Sequence, residues 1–180
     1  MAQLVLKMSI SLDGCIAAAD GSSGWEAVGR SPDSSRWVLD TVANAAVHLV
    51  GAATYATWAN FWPSASGPFA EAMNDTPKVV FSNSLTSAAW AETTIVSGHL
   101  SEAVARLKGE CGDGYLLAQG GARFARSLVE ADLVDEYRLV VHPVVLGAGE
   151  RLFPAPRTIE RISTTAFSAG AVAHVFTAHA

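Results

Sequence analysis

A chain of 180 residues, half of them hydrophobic, suits one domain over residues 1–180 with a sizeable core better than two small ones. A formal net charge of -5 and twelve scattered Lys and Arg residues argue against a nucleic-acid partner, which needs clustered cations, whereas a small anion needs only a helix N-terminus. Cys15 and Cys111 stand far apart without metal-type spacing, no run of about 18 apolar residues occurs, and the start lacks a basic region before a long apolar core, so the expectation is a soluble cytoplasmic protein with reduced thiols and no membrane segment.

Along the chain, "QLVLKMSISL" alternates and turns at Asp13-Gly14, a dipeptide suited to a tight turn, before the short apolar "CIAAA". The Gly- and Ser-rich "DGSSGWEAVGRSP" ends at Ser31, a cap residue, and Pro32, which suits the first helical position; a helix over about 32–46 follows. "VHLVG" has strand length and closes at Gly51, and in the next segment Tyr55, Trp58 and Trp62 fall at helical spacing. "PKVVFSNSL" and "TTIVSG" supply two more short strands, "LSEAVARLKGE" a helix, and "GYLLAQGG" a further strand meeting a helix. Repeated strand–helix alternation predicts an α/β fold with a mainly parallel central sheet and helices on both faces. "DEYRLVVHPVVLGAGERLF" reads as a long strand with Pro143 near its end, and "GAVAHVFTAHA" as a last one. With no helix between them, they predict an antiparallel C-terminal edge strand.

In "LLAQGGARFARSL" two adjacent glycines separate an apolar run from a helix-like pattern. Glycine there frees the backbone at the junction, and the helix start leaves N–H groups for an anion, although many α/β proteins use the same glycines merely to turn. Two other loops fall at the ends of predicted parallel strands, Gly51 to Thr54 and Ser82 to Ser84. Open α/β sheets bind ligands at such strand ends, beside helix N-termini. The three loops together suit a dinucleotide: Gly51 and Thr54 at a phosphate, the Ser82 hydroxyl and Asn83 amide at an adenosine, and Gln119, Gly120, Gly121 and Ala122 along the pyrophosphate or nicotinamide.

These residues carry a resemblance. "MSISLDGCIA", "GAATY" followed by tryptophans, "KVVFSNSL" and above all the segment from Leu116 to Phe153 resemble the reductase-type domain at the C-terminus of the bifunctional riboflavin-biosynthesis deaminase-reductase, a member of the dihydrofolate reductase superfamily. The likeness spans nearly the whole chain, and no "HAE" plus "PCxxC" zinc deaminase signature accompanies it. It implies a three-layer dihydrofolate-reductase-like fold that binds NADPH and passes a hydride to a ring substrate. Carried over by motif, Ser9, Ile16 and Ala17 would flank the nicotinamide, Thr54 with Gly120 and Gly121 would hold the pyrophosphate, and Ser82 and Asn83 would lie near the adenosine. Relatives carry an arginine directly after the glycine of the "GxxTY" motif to pair with the 2′-phosphate, where this chain has Ala52 and Ala53. A charge-assisted phosphate bond is worth about 1.5 to 3 kcal/mol. Either Arg123 compensates, or NADH, or no dinucleotide at all, replaces NADPH.

Reduction of C=N or C=O also needs a proton. Asp33, at the start of the first helix, is the candidate donor, since dihydrofolate reductases use a carboxylate on that helix; the competing reading is a helix cap. Trp25, in an otherwise polar glycine loop, and Trp37 are candidates to stack on a flat heterocycle, with Trp37 sharing a helical face with Thr41 and Ala45 as a core residue would. Tyr55, Trp58 and Trp62 read as packing, and Asp13 as a turn residue. His48, His99, His142, His174 and His179 form no metal-ligand pattern, and no "GxSxG" elbow occurs. The reading is an NAD(P)H-dependent reductase of a small pterin-like or pyrimidine-like heterocycle or carbonyl, with a homodimer expected because the apolar "YRLVVHPVVLG" strand would be hazardous at a bare edge. The rivals are a binding protein of the same fold that has lost the dinucleotide, and a flavin-dependent oxidoreductase. Dihydrofolate itself would need a placed arginine, for which Arg30 and Arg36 are the nearby residues.

Overall fold

Alternation in the first strand sets the architecture. Leu4, Leu6, Met8 and Ile10 share one face of β1 (Gln3–Ser11) and enter the larger core, whereas Val5, on the other face, enters a second core. A strand apolar on both faces belongs in the middle of a covered sheet, and a computed structural model, which describes residues 1–178, places it there.

After β1 come β2 (Cys15–Ala18), a 3-10 turn at Gly24–Ala27, α1 (Pro32–Ala43), β3 (Val47–Gly51), α2 (Ala52–Phe61), α3 (Pro68–Asp75), β4 (Lys78–Phe81) and β5 (Thr93–Val96). Then follow α4 (Leu100–Glu110), β6 (Tyr115–Gln119), α5 (Ala122–Glu130), β7 (Glu136–His142), β8 (Gly149–Arg151), β9 (Glu160–Ala166) and β10 (Val172–Thr177). The main sheet has eight strands in the order β5-β4-β3-β6-β1-β7-β10-β9, and β2 pairs with β8 in a separate ribbon. Pairing is parallel from β5 through β7, and antiparallel from β7 to β10 and from β10 to β9.

Helices α4 and α5 cover one face through Ala103, Val104, Leu107, Ala125, Leu128 and Val129. The other face is covered by Val42 of α1, Tyr55 of α2 and Met73 of α3. This is the three-layer, dihydrofolate-reductase-like arrangement the sequence implies. One buried cation supports it: Lys78, 1% exposed, donates to the carbonyls of Met73 at 3.1 Å and Asn74 at 2.7 Å and lies 4.5 Å from the centre of the Trp90 ring. It thereby satisfies the orphan carbonyls at the end of α3.

Several boundaries differ from the sequence reading. α1 ends at Ala43, because Asn44 leaves helical geometry and folds its side-chain amide back onto the Asp40 carbonyl. β7 stops at His142, before Pro143, and is no edge strand: β1 and β10 flank it. The edge is β9, absent from the sequence reading because "ERISTTA" is exposed at every residue and carries no core alternation. The expectation of a homodimer built on a bare β7 therefore loses its premise. His179 lies outside the described residues.

Candidate functional site

The apolar character of the sheet face under α1 and α3 fails at one place. On β1 the residues after Val5 on that face are Lys7 and Ser9, and the register sets Lys7 beside Gln119 of β6, Ser9 beside Val140 of β7, and Ser11 beside His142. Three neighbouring strands thus turn polar together, forming the floor of a cleft of about 460 Å³ lined by Lys7, Ser9, Gln119, Gly120, Val140 and His142. Its walls are Ser34, Ser35 and Val38 of α1, Glu26 and Arg30 of the preceding loop, Trp58 and Trp62 at the end of α2, and Phe69 and Met73 of α3. A volume of this size holds a one- or two-ring heterocycle.

Electrostatically the cleft is positive within an acidic chain. The Lys7 side chain has no hydrogen bond or ion pair among the described residues. Burial holds its pKa below the usual lysine value, with Glu26 opposing and Arg30 reinforcing that shift. Gln119, 5% exposed, donates among the described residues only to the Met73 sulfur at 3.4 Å, a weak partner. His142 is also 5% exposed, and its Nδ1 lies 2.8 Å from the Val28 carbonyl oxygen.

Beside the cleft, at the ends of β3 and β6, the two glycine corners meet. A Cβ on Gly51 would sit 3.0 Å from that of Phe124 in α5. Gly120 and Gly121 have positive φ of 69° and 74°; a Cβ on Gly120 would come within 3.0 Å of Trp58 Cζ2, and one on Gly121 would overlap Thr54 Oγ1. Glycine is required there both by the left-handed backbone and by the approach of α2. Neither α2 nor α5 has a side-chain cap at its start, so their first-turn N–H groups remain available to an anion. α1, by contrast, closes its own start with a Ser31–Ser34 capping box. Ala122 opens α5, and Arg123 beside it is exposed, its guanidinium without a partner among the described residues. At the end of β4, Ser82 Oγ accepts from the Leu85 and Ser84 amides at 2.9 and 3.2 Å, and Asn83 Oδ1 accepts from Gly98 N at 3.1 Å. Among the described residues the Ser82 hydroxyl proton and the Asn83 amide N–H groups have no acceptor and stay free to donate.

The sequence-predicted residues divide accordingly. Ser9, Gln119 and Gly120 line the cleft, and Gly51, Thr54, Gly121, Ala122 and Arg123 gather next to it. Ile16 is buried in the larger core and Ala17 pairs with β8, neither of them lining the cleft. Asp33 is a correction: its carboxylate accepts from Ser168 N and Ser168 Oγ, both at 2.9 Å, in the turn between β9 and β10, and it does not line the cleft. Hydrogen bonds from Ser31 and Ser168 hold its pKa at about 2, so it is a poor proton donor near neutrality.

The tryptophans exchange places. Trp25 is buried edge-on against His142, 5.6 Å between ring centres, and Trp37 packs on Phe167 at 6.2 Å. It is Trp58 and Trp62, read as packing residues, that line the cleft. Lys7, Glu26 and His142 were missed, and Arg30, named only as an arginine near a substrate carboxylate, lines the cleft. The signal available for Lys7 and Ser9 was a polar pair at alternating positions in a strand otherwise apolar on both faces.

The chain is similar in sequence and in fold to known proteins. The Bacillus subtilis (strain 168) protein YwjB, itself uncharacterized, is 33% identical over 154 residues, covering 83% of this chain and 81% of YwjB. A crystal structure of a Shewanella sp. PV-4 protein connected with riboflavin biosynthesis superposes with a TM-score of 0.76 at 22% identity, covering 98% of both chains. A pyrimidine reductase-like protein from Corynebacterium diphtheriae superposes with a TM-score of 0.70 at 12% identity, covering 98% of this chain and 91% of that one. The model of the RibD C-terminal domain matches residues 2–173, and the chain belongs to that family.

Proposed function

We propose that the chain is an NAD(P)H-dependent reductase that transfers a hydride to a small heterocycle, pterin-like or pyrimidine-like, or to a carbonyl compound. The observation that carries this reading is continuity: Gly120 and Trp58 belong both to the glycine corner against Thr54 and to the wall of the ring-sized cleft. A dinucleotide seated on the corner would bring its reactive end to a substrate in the cleft. The pyrimidine reductase-like Corynebacterium neighbour favours a pyrimidine-type ring.

The corner fits a reduced nicotinamide dinucleotide. Gly120 and Gly121 leave room that any Cβ would fill, Thr54 offers a hydroxyl, and the uncapped starts of α2 and α5 offer backbone N–H groups. When bound, the cofactor supplies the hydride. Ser82 and Asn83, just past the end of the neighbouring strand β4, would take the adenosine. Arg123 is the cation available for a 2′-phosphate, since Ala52 and Ala53 give the first turn of α2 none.

On the substrate side, Lys7 is a cation on the cleft floor whose charge would stabilise electron density developing on the ring heteroatom and whose lowered pKa favours release of a proton to it. Trp58 and Trp62 supply flat walls. A homodimer belongs to this proposal on a new footing, the exposed edge strand β9, and sedimentation at micromolar protein tests it.

Titration with NADPH and, separately, NADH tests the reading through quenching of tryptophan fluorescence, to which Trp58 beside Gly120 is expected to contribute. Saturation at micromolar concentration is the expected result, and the ratio of the two affinities reports what Arg123 contributes. Absence of saturation by either up to about 1 mM, roughly -4 kcal/mol, overturns the reading.

A further inference from the structure

We propose that Lys7 is a nucleophilic amine that condenses reversibly with a planar aromatic aldehyde seated in the cleft, so that the cleft floor is a covalent carbonyl-binding site. The inference goes beyond the reductase reading and does not rest on it: it needs the cleft and its lysine, and no nicotinamide.

The chain contains three lysines, Lys7, Lys78 and Lys108, and two of them are occupied. Lys78 is fully buried and donates to the Met73 and Asn74 carbonyls. Lys108 is held by the Asp135 carboxylate at 2.5 Å and by the Leu133 carbonyl at 3.1 Å. Both interactions favour the ammonium form, which has no lone pair to offer a carbonyl carbon. Nothing among the described residues holds Lys7 in that way. The buried side-chain nitrogens that lack a partner belong to Trp25, His48, Trp62, Arg126 and His142. Lys7 Nζ is not one of them, so this unpaired nitrogen is open to solvent.

Its direction follows from its neighbours. The two charges that act on it, Glu26 and Arg30, both stand on the cleft wall, so the amine points from β1 into the cleft. Burial lowers its pKa, opposed by Glu26 and reinforced by Arg30, which leaves a larger share of the nucleophilic free amine than an ordinary lysine has. Trp58 and Trp62 flank the space above it, and Trp62 is held flat against Phe69 at 5.3 Å. A planar ring fits between such walls with its aldehyde carbon at the floor. The Nζ lone pair attacks that carbon, one N–H proton passes to the oxygen to give a carbinolamine, and the oxygen leaves as water with the second. The product is an imine, with nothing oxidised or reduced.

The test uses pyridoxal as the probe, without nicotinamide. Borohydride, added after a fixed time, reduces the imine to a stable secondary amine, and tandem mass spectrometry locates the adduct. The expected result is labelling of Lys7 at least about tenfold above Lys78 and Lys108 in the folded chain, and loss of that preference when the chain is unfolded in urea before labelling. Lys7→Met, checked by thermal melts, is expected to be labelled only at the exposed Met1 α-amine. Acetaldehyde, which has no ring to seat, is expected to show a several-fold smaller preference for Lys7. Labelling of the lysines in the same ratio in folded and unfolded chain would overturn the proposal, as would an equal preference with acetaldehyde or no adduct at Lys7 up to about 1 mM pyridoxal. The outcomes separate from those of the nicotinamide titration: an adduct at Lys7 without nicotinamide saturation sinks the reductase reading alone, and saturation without the adduct sinks this proposal alone.

Discussion

Thr54 Oγ1 occupies the space that a side chain on Gly121 would need, so the start of α2 and the start of α5 are fitted to each other through the absence of a single methyl group. Gly121→Ala forces both an unfavourable left-handed backbone, costing about 1 to 2 kcal/mol, and displacement of Thr54. The expected outcome is a destabilised protein with at least about tenfold weaker NADPH binding. Adding Thr54→Ala removes the overlap but not the backbone strain. A double-mutant cycle read by chemical denaturation should therefore show positive coupling between the two sites, and additivity would refute the fit.

Lys7 sets cleft chemistry against stability. Partial burial lowers its pKa from the ordinary 10.5, so between the folded-state pKa and 10.5 the unfolded chain binds more protons and stability rises with pH; below that window the full cost of the half-buried cation is present. Lys7→Met removes the cost. It is expected to match or exceed wild type in urea midpoint at neutral pH, to lose the alkaline rise, and to lower turnover of a ring substrate by at least about a hundredfold if the ammonium stabilises the developing charge. A variant with unchanged turnover would remove Lys7 from the chemistry.

Much of this was legible in the chain before any coordinates. The strand–helix alternation and the glycines at positions 120 and 121 locate the glycine corner at the ends of β3 and β6, because local backbone demands leave local marks. The cleft was not legible in the same way. Its floor is assembled from Lys7, Gln119 and His142, which lie on three strands far apart in sequence and become neighbours only through register. The aromatic assignment failed for a related reason: helical spacing shows that Trp58 and Trp62 share a face with Tyr55, but not that this face ends over a polar patch. Asp33 sits where a helix-borne carboxylate is expected, yet the β9–β10 turn that captures it is built around a strand with no apolar pattern to betray it.

Acid sensitivity between pH 6.5 and 4 is expected to come from His48. The ring is fully buried, with Nε2 3.2 Å from the Val42 carbonyl, and burial drives its pKa from 6.5 down to about 4. The unfolded chain takes up this proton first, so the stabilising contribution is fully present above pH 6.5 and falls as pH drops toward 4, by about 3 kcal/mol in all. Urea melts across that range should show the decline in wild type and a flatter profile in His48→Gln. Equal slopes would assign the sensitivity elsewhere.

Asp33 provides the converse case. Its carboxylate ties the start of α1 to Ser168, and its pKa of about 2 places the loss of that tether below its ordinary value of 3.8, a window more acidic than that of His48. Asp33→Asn is therefore expected to leave the pH profile of substrate reduction unchanged, while thermal melts show lower stability at neutral pH and a smaller acid-induced drop between pH 4 and 2. A proton donor would behave oppositely: its removal would cut kcat by at least about a hundredfold and abolish one limb of the pH–rate profile. With the carboxylate turned to the β9–β10 turn and Lys7 on the cleft floor, the geometry assigns Asp33 to the scaffold.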